Sequence, residues 1–231
     1  MSEADTSGYG RLCAAAAAAG LACRGGFHPR ADDDVPVIDH RPARTVVLLG
    51  FTGREHWPAF TASPEYGDGA AHPLDRWSRR VIEGLAQRFG ARALYPFGGP
   101  PWWPFQRWAQ RAERLHPSPL GVLMHAEFGL WHAYRGALLL PEELPVPPLQ
   151  SASSPCESCR EQPCLAACPA GAYAGGRFSP EACRAHVLSE QGIACRTYGC
   201  LARHACPVAT AHRYDAPQAT FHLHAFLRAP R

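Results

Sequence analysis

The spacing of apolar and polar positions divides the chain into an early region of alternating helices and strands and a late region almost without periodicity. Residues 9–23 place Leu12, Ala15, Ala16, Ala19 and Cys23 roughly on one face, which predicts a first helix ended by Gly25 and Gly26. An acidic, proline-punctuated loop follows over 31–43. Residues 44–51 (RTVVLLGF) are a near-continuous apolar run, the pattern of a strand buried on both faces. Residues 52–72 are rich in glycine, proline, serine and aromatic residues and read as a long loop of functional type. Over 74–89, Leu74, Trp77, Val81, Ile82, Leu85 and Phe89 make an apolar stripe opposite arginines, a helix that Gly90 should stop. A second strand is expected over 91–97.

The next stretch, FGGPPWWPF (97–105), is an aromatic loop. Trp102 and Trp103 either wall a flat cofactor or substrate, or pack on the core of a rigid connection. Pro104 suits the first position of a helix running to residue 115, with Trp108, Ala112 and Leu115 inward. Residues 137–140 read as a third buried strand, and the proline-rich 141–148 as a connector between domains. The expected organisation is α+β: a layered α/β pocket-forming domain (1–148), a small domain (149–216) and a tail (217–231).

Composition narrows the classes. With 46% hydrophobic and 19% charged residues, the 231-residue chain has the make-up of an ordinary globule. A formal charge of +3 is no nucleic-acid footprint in itself, so a nucleic-acid partner is not expected. All 23 basic residues are arginine, which excludes a Walker lysine or a Schiff-base lysine. No apolar run reaches the roughly 18–20 residues of a membrane span. Glu3 and Asp5 at the start do not resemble a basic leader, so a cytoplasmic protein is expected.

The cysteines carry the chemistry. They read Cys156-x2-Cys159-x4-Cys164-x3-Cys168-Pro169, then Cys183, then Cys195-x4-Cys200-x5-Cys206-Pro207. Two groups of four, each closing on Cys-Pro, follow the logic of two [4Fe–4S] clusters in which the fourth thiolate of one run serves the other cluster. Cluster one would take Cys156, Cys159, Cys164 and Cys206. Cluster two would take Cys168, Cys183, Cys195 and Cys200. Structural zinc is the rival, but it does not account for two Cys-Pro closures around an isolated Cys183. Cys13 and Cys23 have no partner spacing and are read as small buried hydrophobes. His186, His204 and His212 are read as supporting groups, and the His222/His224 tail as a helix or docked segment.

A dicluster segment placed after an α/β domain resembles the epoxyqueuosine reductases and, more distantly, the reductive dehalogenases. Gly129-Leu130-Trp131 followed by 135–140 (RGALLL) is similar to their glycine-rich turn and buried strand. The resemblance implies an N-terminal domain of the cobalamin-processing, nitroreductase-like fold, a ferredoxin-like domain, and clusters that feed a corrinoid. An electron-donor protein and a small-molecule or modified-nucleoside substrate would be the partners. His125, His132, Tyr134, Arg135, Trp102 and Trp103 would then line the cofactor pocket.

The chain departs from the family where its Asp-Ser-Ala-Pro motif, with a proton-donating aspartate, is matched by His116-Pro117-Ser118-Pro119. His116 is either the donor in its place or a turn residue ahead of the prolines, the turn reading being slightly favoured. Arg135 stands nearest the altered Gly-Lys of the family's turn, and the helical-repeat extension of many members is not expected here. The alternative function is a non-catalytic, ferredoxin-like electron carrier.

Overall fold

The computed structural model describes residues 8–149 and 152–228. Glu3 and Asp5, and the end of the tail at 229–231, lie outside the described residues. In chain order the elements are α1 (Gly8–Ala18), β1 (Ala22–Phe27), β2 (Thr45–Thr52), α2 (Trp57–Thr61), α3 (Pro64–Gly67), α4 (Pro73–Phe89), β3 (Arg92–Leu94) and α5 (Phe105–Ala112). Then come β4 (Leu115–Pro117), β5 (Leu123–His125) and β6 (His132–Leu140). The last five helices are α6 (Pro163–Ala166), α7 (Pro180–Leu188), α8 (Ile193–Tyr198), α9 (Leu201–His204) and α10 (Ala216–Arg228). No helix among the described residues is long and apolar enough to cross a membrane.

The chain forms two compact units. The first holds the residues up to Arg114 together with those from His132 to the connector, and the second holds Leu115–Trp131 and the chain from Ala152 onward. Segment 115–131, expected within the α/β domain, thus belongs to the second unit. The reason is apolar. Leu120, Met124 and Leu130 are buried in one cluster with Cys164, Ala202 and Cys206.

The first unit is built on a four-stranded sheet of order β1-β2-β6-β3, antiparallel throughout. Every residue of β2 is buried, as its unbroken apolar run predicts. Gly50 lies at a register shift of the β2–β6 ladder, where a Cβ would meet the Ala133 carbonyl oxygen at 1.9 Å. Only glycine permits that approach. Helix α4 forms where its stripe predicts, burying Leu74, Trp77, Ile82 and Leu85, and the Gly90 N–H caps it by donating to the Ala86 carbonyl.

Other expectations are corrected. The first helix stops at Ala18 rather than 23, because Gly20 turns the chain with φ +83°, and Gly25 and Gly26 lie inside β1. The long loop 52–72 carries α2 and α3, whose Trp57, Phe60 and Tyr66 pack with one another and bring Phe60 onto Trp77. The strand expected over 91–97 is only Arg92–Leu94, and the helix expected to reach 115 ends at Ala112. Leu115 opens β4 instead. Cys13 and Cys23 are half-buried and joined in a disulfide with Cα atoms 5.1 Å apart, tying α1 to β1. Their pairing was hidden because Cys23 was assigned to the helix rather than to the strand that returns beside it.

Candidate functional site

The second unit positions its cysteines with short helices and turns. The N–H of Cys159 donates to the Cys156 carbonyl (3.3 Å), and Ser154 Oγ accepts from the Cys156 N–H at 3.3 Å. Pro163 starts α6, which presents Cys164 and ends just before Cys168. Ser179 caps α7 by accepting from the Ala182 N–H, with Pro180 at the first position, and that helix carries Cys183. Cys195 lies on α8, Cys200 is the residue before α9, and Cys206 follows α9.

These turns bring the eight thiols to two cavities. The first is lined by Cys156, Cys159, Cys164 and Cys206, with Leu120, Met124 and Leu130 as apolar walls. The second is lined by Cys168, Cys183, Cys195 and Cys200, with Tyr173 and Val187 among its walls. Each encloses about 380 Å³ of space free of protein atoms, part of it open to solvent. Cys164, Cys195 and Cys206 are buried, and Cys200 is exposed.

The electrostatics follow the same division. Burial raises the Cys156 thiol, and Cys206, Cys164 and Cys159 raise it further. Burial and then Cys206 raise Cys164. Burial pushes Cys183 up to about 11, aided by Cys200, Cys168 and Cys195. Burial and Cys200 likewise raise Cys195. The Tyr173 phenol is held protonated by burial first and by Cys200 next. Four soft thiols that oppose one another's ionisation are a donor set that fits a cationic centre, since a bound metal deprotonates thiols outright. Among the described residues, no three His, Cys, Asp or Glu side chains form a group suited to a single metal ion.

The other candidate residues are distributed over both units. In the second, His116 Nε2 lies 3.1 Å from the Ala152 carbonyl oxygen. His125 Nδ1 accepts from the Glu127 and Phe128 N–H groups at 3.0 and 3.1 Å, closing its turn. In the first, His132 opens β6 with its ring 5.8 Å from that of Tyr134. Tyr134 donates its hydroxyl to Glu113, and burial holds its phenol protonated. Arg135 donates to Asp75 and to Ser78 Oγ, and lies over the Phe97 ring. Trp102 is 69% exposed, and Trp103 stacks on Trp108 at 6.2 Å. Tyr134, Arg135 and His125 are thus engaged in the protein's own bonding, and no step through a corrinoid is assigned to them.

Two groups were not foreseen from the sequence. Arg24 is fully buried, donating to Glu113 through Nε (2.9 Å) and Nη2 (2.6 Å) and to the Phe51 carbonyl (2.8 Å). Its guanidinium also lies 4.9 Å from the centre of the Tyr134 ring. Arg24 stands between the helix expected over 9–23 and the glycines expected to end it, and nothing in the spacing of Glu113 points to it. Tyr173, beside the second thiol set, has no motif of its own.

No protein-family model and no curated protein matches the chain. Solved structures do match. A selenomethionine-labelled epoxyqueuosine reductase superposes with a TM-score of 0.51 at 15% identity, over 91% of this chain and 68% of that one. The epoxyqueuosine reductase of Streptococcus thermophilus gives 0.49 at 16% identity, over 90% and 69%. An epoxyqueuosine reductase with a tRNA-Tyr epoxyqueuosine-modified stem loop gives 0.49 at 16%, over 89% and 66%. The chain is thus a mixed α/β protein that shares the fold of epoxyqueuosine reductase, at identities that speak for the fold alone.

Proposed function

We propose that this protein is an iron–sulphur redox protein holding two [4Fe–4S] clusters, in a reductase related to the epoxyqueuosine enzymes. One observation carries the reading: eight thiols, drawn from both ends of the cysteine segment, line two separate cavities four by four. Cys156, Cys159, Cys164 and Cys206 would hold one cluster, and Cys168, Cys183, Cys195 and Cys200 the other. When bound, such clusters take up and release single electrons. The protein's part is to supply soft ligands, to wall the first centre with Leu120, Met124 and Leu130, and to leave the second open to solvent at Cys200. An electron-donor protein in the cytoplasm is the partner this implies. In this reading the substrate is a modified nucleoside, free or within tRNA, and cobalamin is the cofactor to look for.

A second reading, an electron carrier without a reaction of its own, is favoured by His116. It stands where the related enzymes place a carboxylate, and its Nε2 lies against the Ala152 carbonyl. Anaerobic purification separates these readings. Either one requires about eight irons and matching acid-labile sulphide per chain. A corrinoid spectrum, or turnover of an epoxide-bearing nucleoside, supports the reductase; cluster absorbance alone supports the carrier. Zinc in place of iron would overturn both.

A further inference from the structure

A third cavity of the second unit lies beside the two thiol cavities. It encloses about 650 Å³ of space free of protein atoms, part of it open to solvent. One wall is Tyr173, Phe178 and Phe226, with successive ring centres 5.2 and 6.1 Å apart. A second aromatic wall is Trp131, His204, Tyr214 and His222, in which Trp131 meets His204 at 5.0 Å and Tyr214 at 5.2 Å. Cys183 and Cys200 also line it, so it borders the second thiol set without being the same space.

Its charge is one-sided. Arg203 faces both the Trp131 and Tyr214 rings, with its guanidinium carbon 4.5 Å from the centre of each, and donates through Nη2 to the Leu130 carbonyl. No ion pair among the described residues involves Arg203. Arg203 Nε and Trp131 Nε1 are buried without a hydrogen-bond partner. Buried donors left unpaired are rare and call for an acceptor. Aromatic walls alone would suit a cation as well, but Arg203 repels one. Flat walls, a positive charge without a carboxylate partner and unpaired donors together select a flat ring bearing acceptor oxygens.

We propose that this cavity binds a planar aromatic anion, with its ring between the two aromatic walls and its charge met by Arg203. Its binding needs no cluster chemistry, so it stands or falls separately from the iron–sulphur reading.

Isothermal titration of the anaerobically purified full chain tests this with 2-naphthoate and, as a neutral isostere, 2-naphthamide, the iron content being counted in the same samples. The naphthoate should bind at least about ten-fold more tightly than the amide. Arg203→Gln should abolish that preference while leaving amide binding within about two-fold. Phe226→Trp, which fills space from α10 while keeping an aromatic residue, should weaken both probes at least about ten-fold. Equal affinities of the wild-type protein for acid and amide would overturn the proposal, and so would affinities that Phe226→Trp leaves unchanged. Should Arg203→Gln fail to fold, the acid–amide comparison and Phe226→Trp still decide.

Discussion

Cys164 and Cys168 stand four residues apart, yet Cys164 lines the first thiol cavity and Cys168 the second. The end of α6 lies between them, and the chain turns there at Ala167. Cys206 makes the reverse exchange, joining Cys156, Cys159 and Cys164 from the far end of the segment. Cys164→Ser and Cys206→Ser should therefore behave alike, each lowering iron from about eight to about four atoms per chain and removing the same paramagnetic signal of the reduced protein. Cys168→Ser and Cys200→Ser should remove the other signal. A Cys206→Ser variant that instead resembled Cys200→Ser would show the sets to be wrongly drawn.

The Arg24–Glu113–Tyr134 group sets a second expectation. Glu113→Ala leaves the fully buried Arg24 without its counter-charge and should cost about 3–5 kcal/mol in urea unfolding. Tyr134→Phe removes one hydrogen bond to a carboxylate that Arg24 still holds, and should cost only about 1–2 kcal/mol. Iron content should be unchanged in Tyr134→Phe, since the thiols all belong to the other unit.

Glu65 should mark the acid side of the stability profile. The hydrogen bond from Arg80 is the main cause that draws its carboxyl from an ordinary 4.5 to about 2. A depressed carboxyl contributes stability above its unfolded value and loses it as the pH falls through its folded value. The stability difference between the wild-type protein and Glu65→Gln should therefore be full above pH 4.5 and vanish as the pH falls towards 2. Because Arg80 is 55% exposed, the full difference should be only about 1 kcal/mol by denaturant titration.

The Cys13–Cys23 bridge predicts that a denatured, iron-free and unreduced sample carries eight free thiols. Cys13→Ser should lower stability by about 2–3 kcal/mol under oxidising conditions. Added reductant should bring the wild-type protein to the level of the variant.

How far each feature was legible depended on how local its cause is. The apolar stripe of α4 and its Gly90 cap, and the buried run of β2, are set by neighbours in the chain, and both stand as read. The two cavities divide the eight free cysteines into the same two sets of four that their spacing along the chain suggests. Features made by distant partners were not. β1 carries two glycines and a buried arginine, so it has no strand signature until β2 pairs with it and Glu113 meets Arg24. Segment 115–131 is the same case. Leu120, Met124 and Leu130 gave no sign that their neighbours would be Cys164 and Cys206. The aromatic residues of 52–72 read as part of a functional loop because the helices that carry them, α2 and α3, span five and four residues, too short to show a period.

Strand β6 lies between β2 and β3 in the sheet, and the 115–131 segment precedes it in the chain. A ribosome therefore delivers part of the thiol unit before the first unit can complete its sheet, and the eight free cysteines last of all. Until residue 140 has emerged, β2 and β3 have no strand to join them, and Leu120, Met124 and Leu130 wait longer still for Cys164, Ala202 and Cys206 to cover them. Cutting the chain at the proline-rich connector would leave each half with a wound: one with an orphaned apolar segment, the other with a thiol cavity lacking a wall. The two units can be told apart in space, but neither can be made as one uninterrupted length of polypeptide.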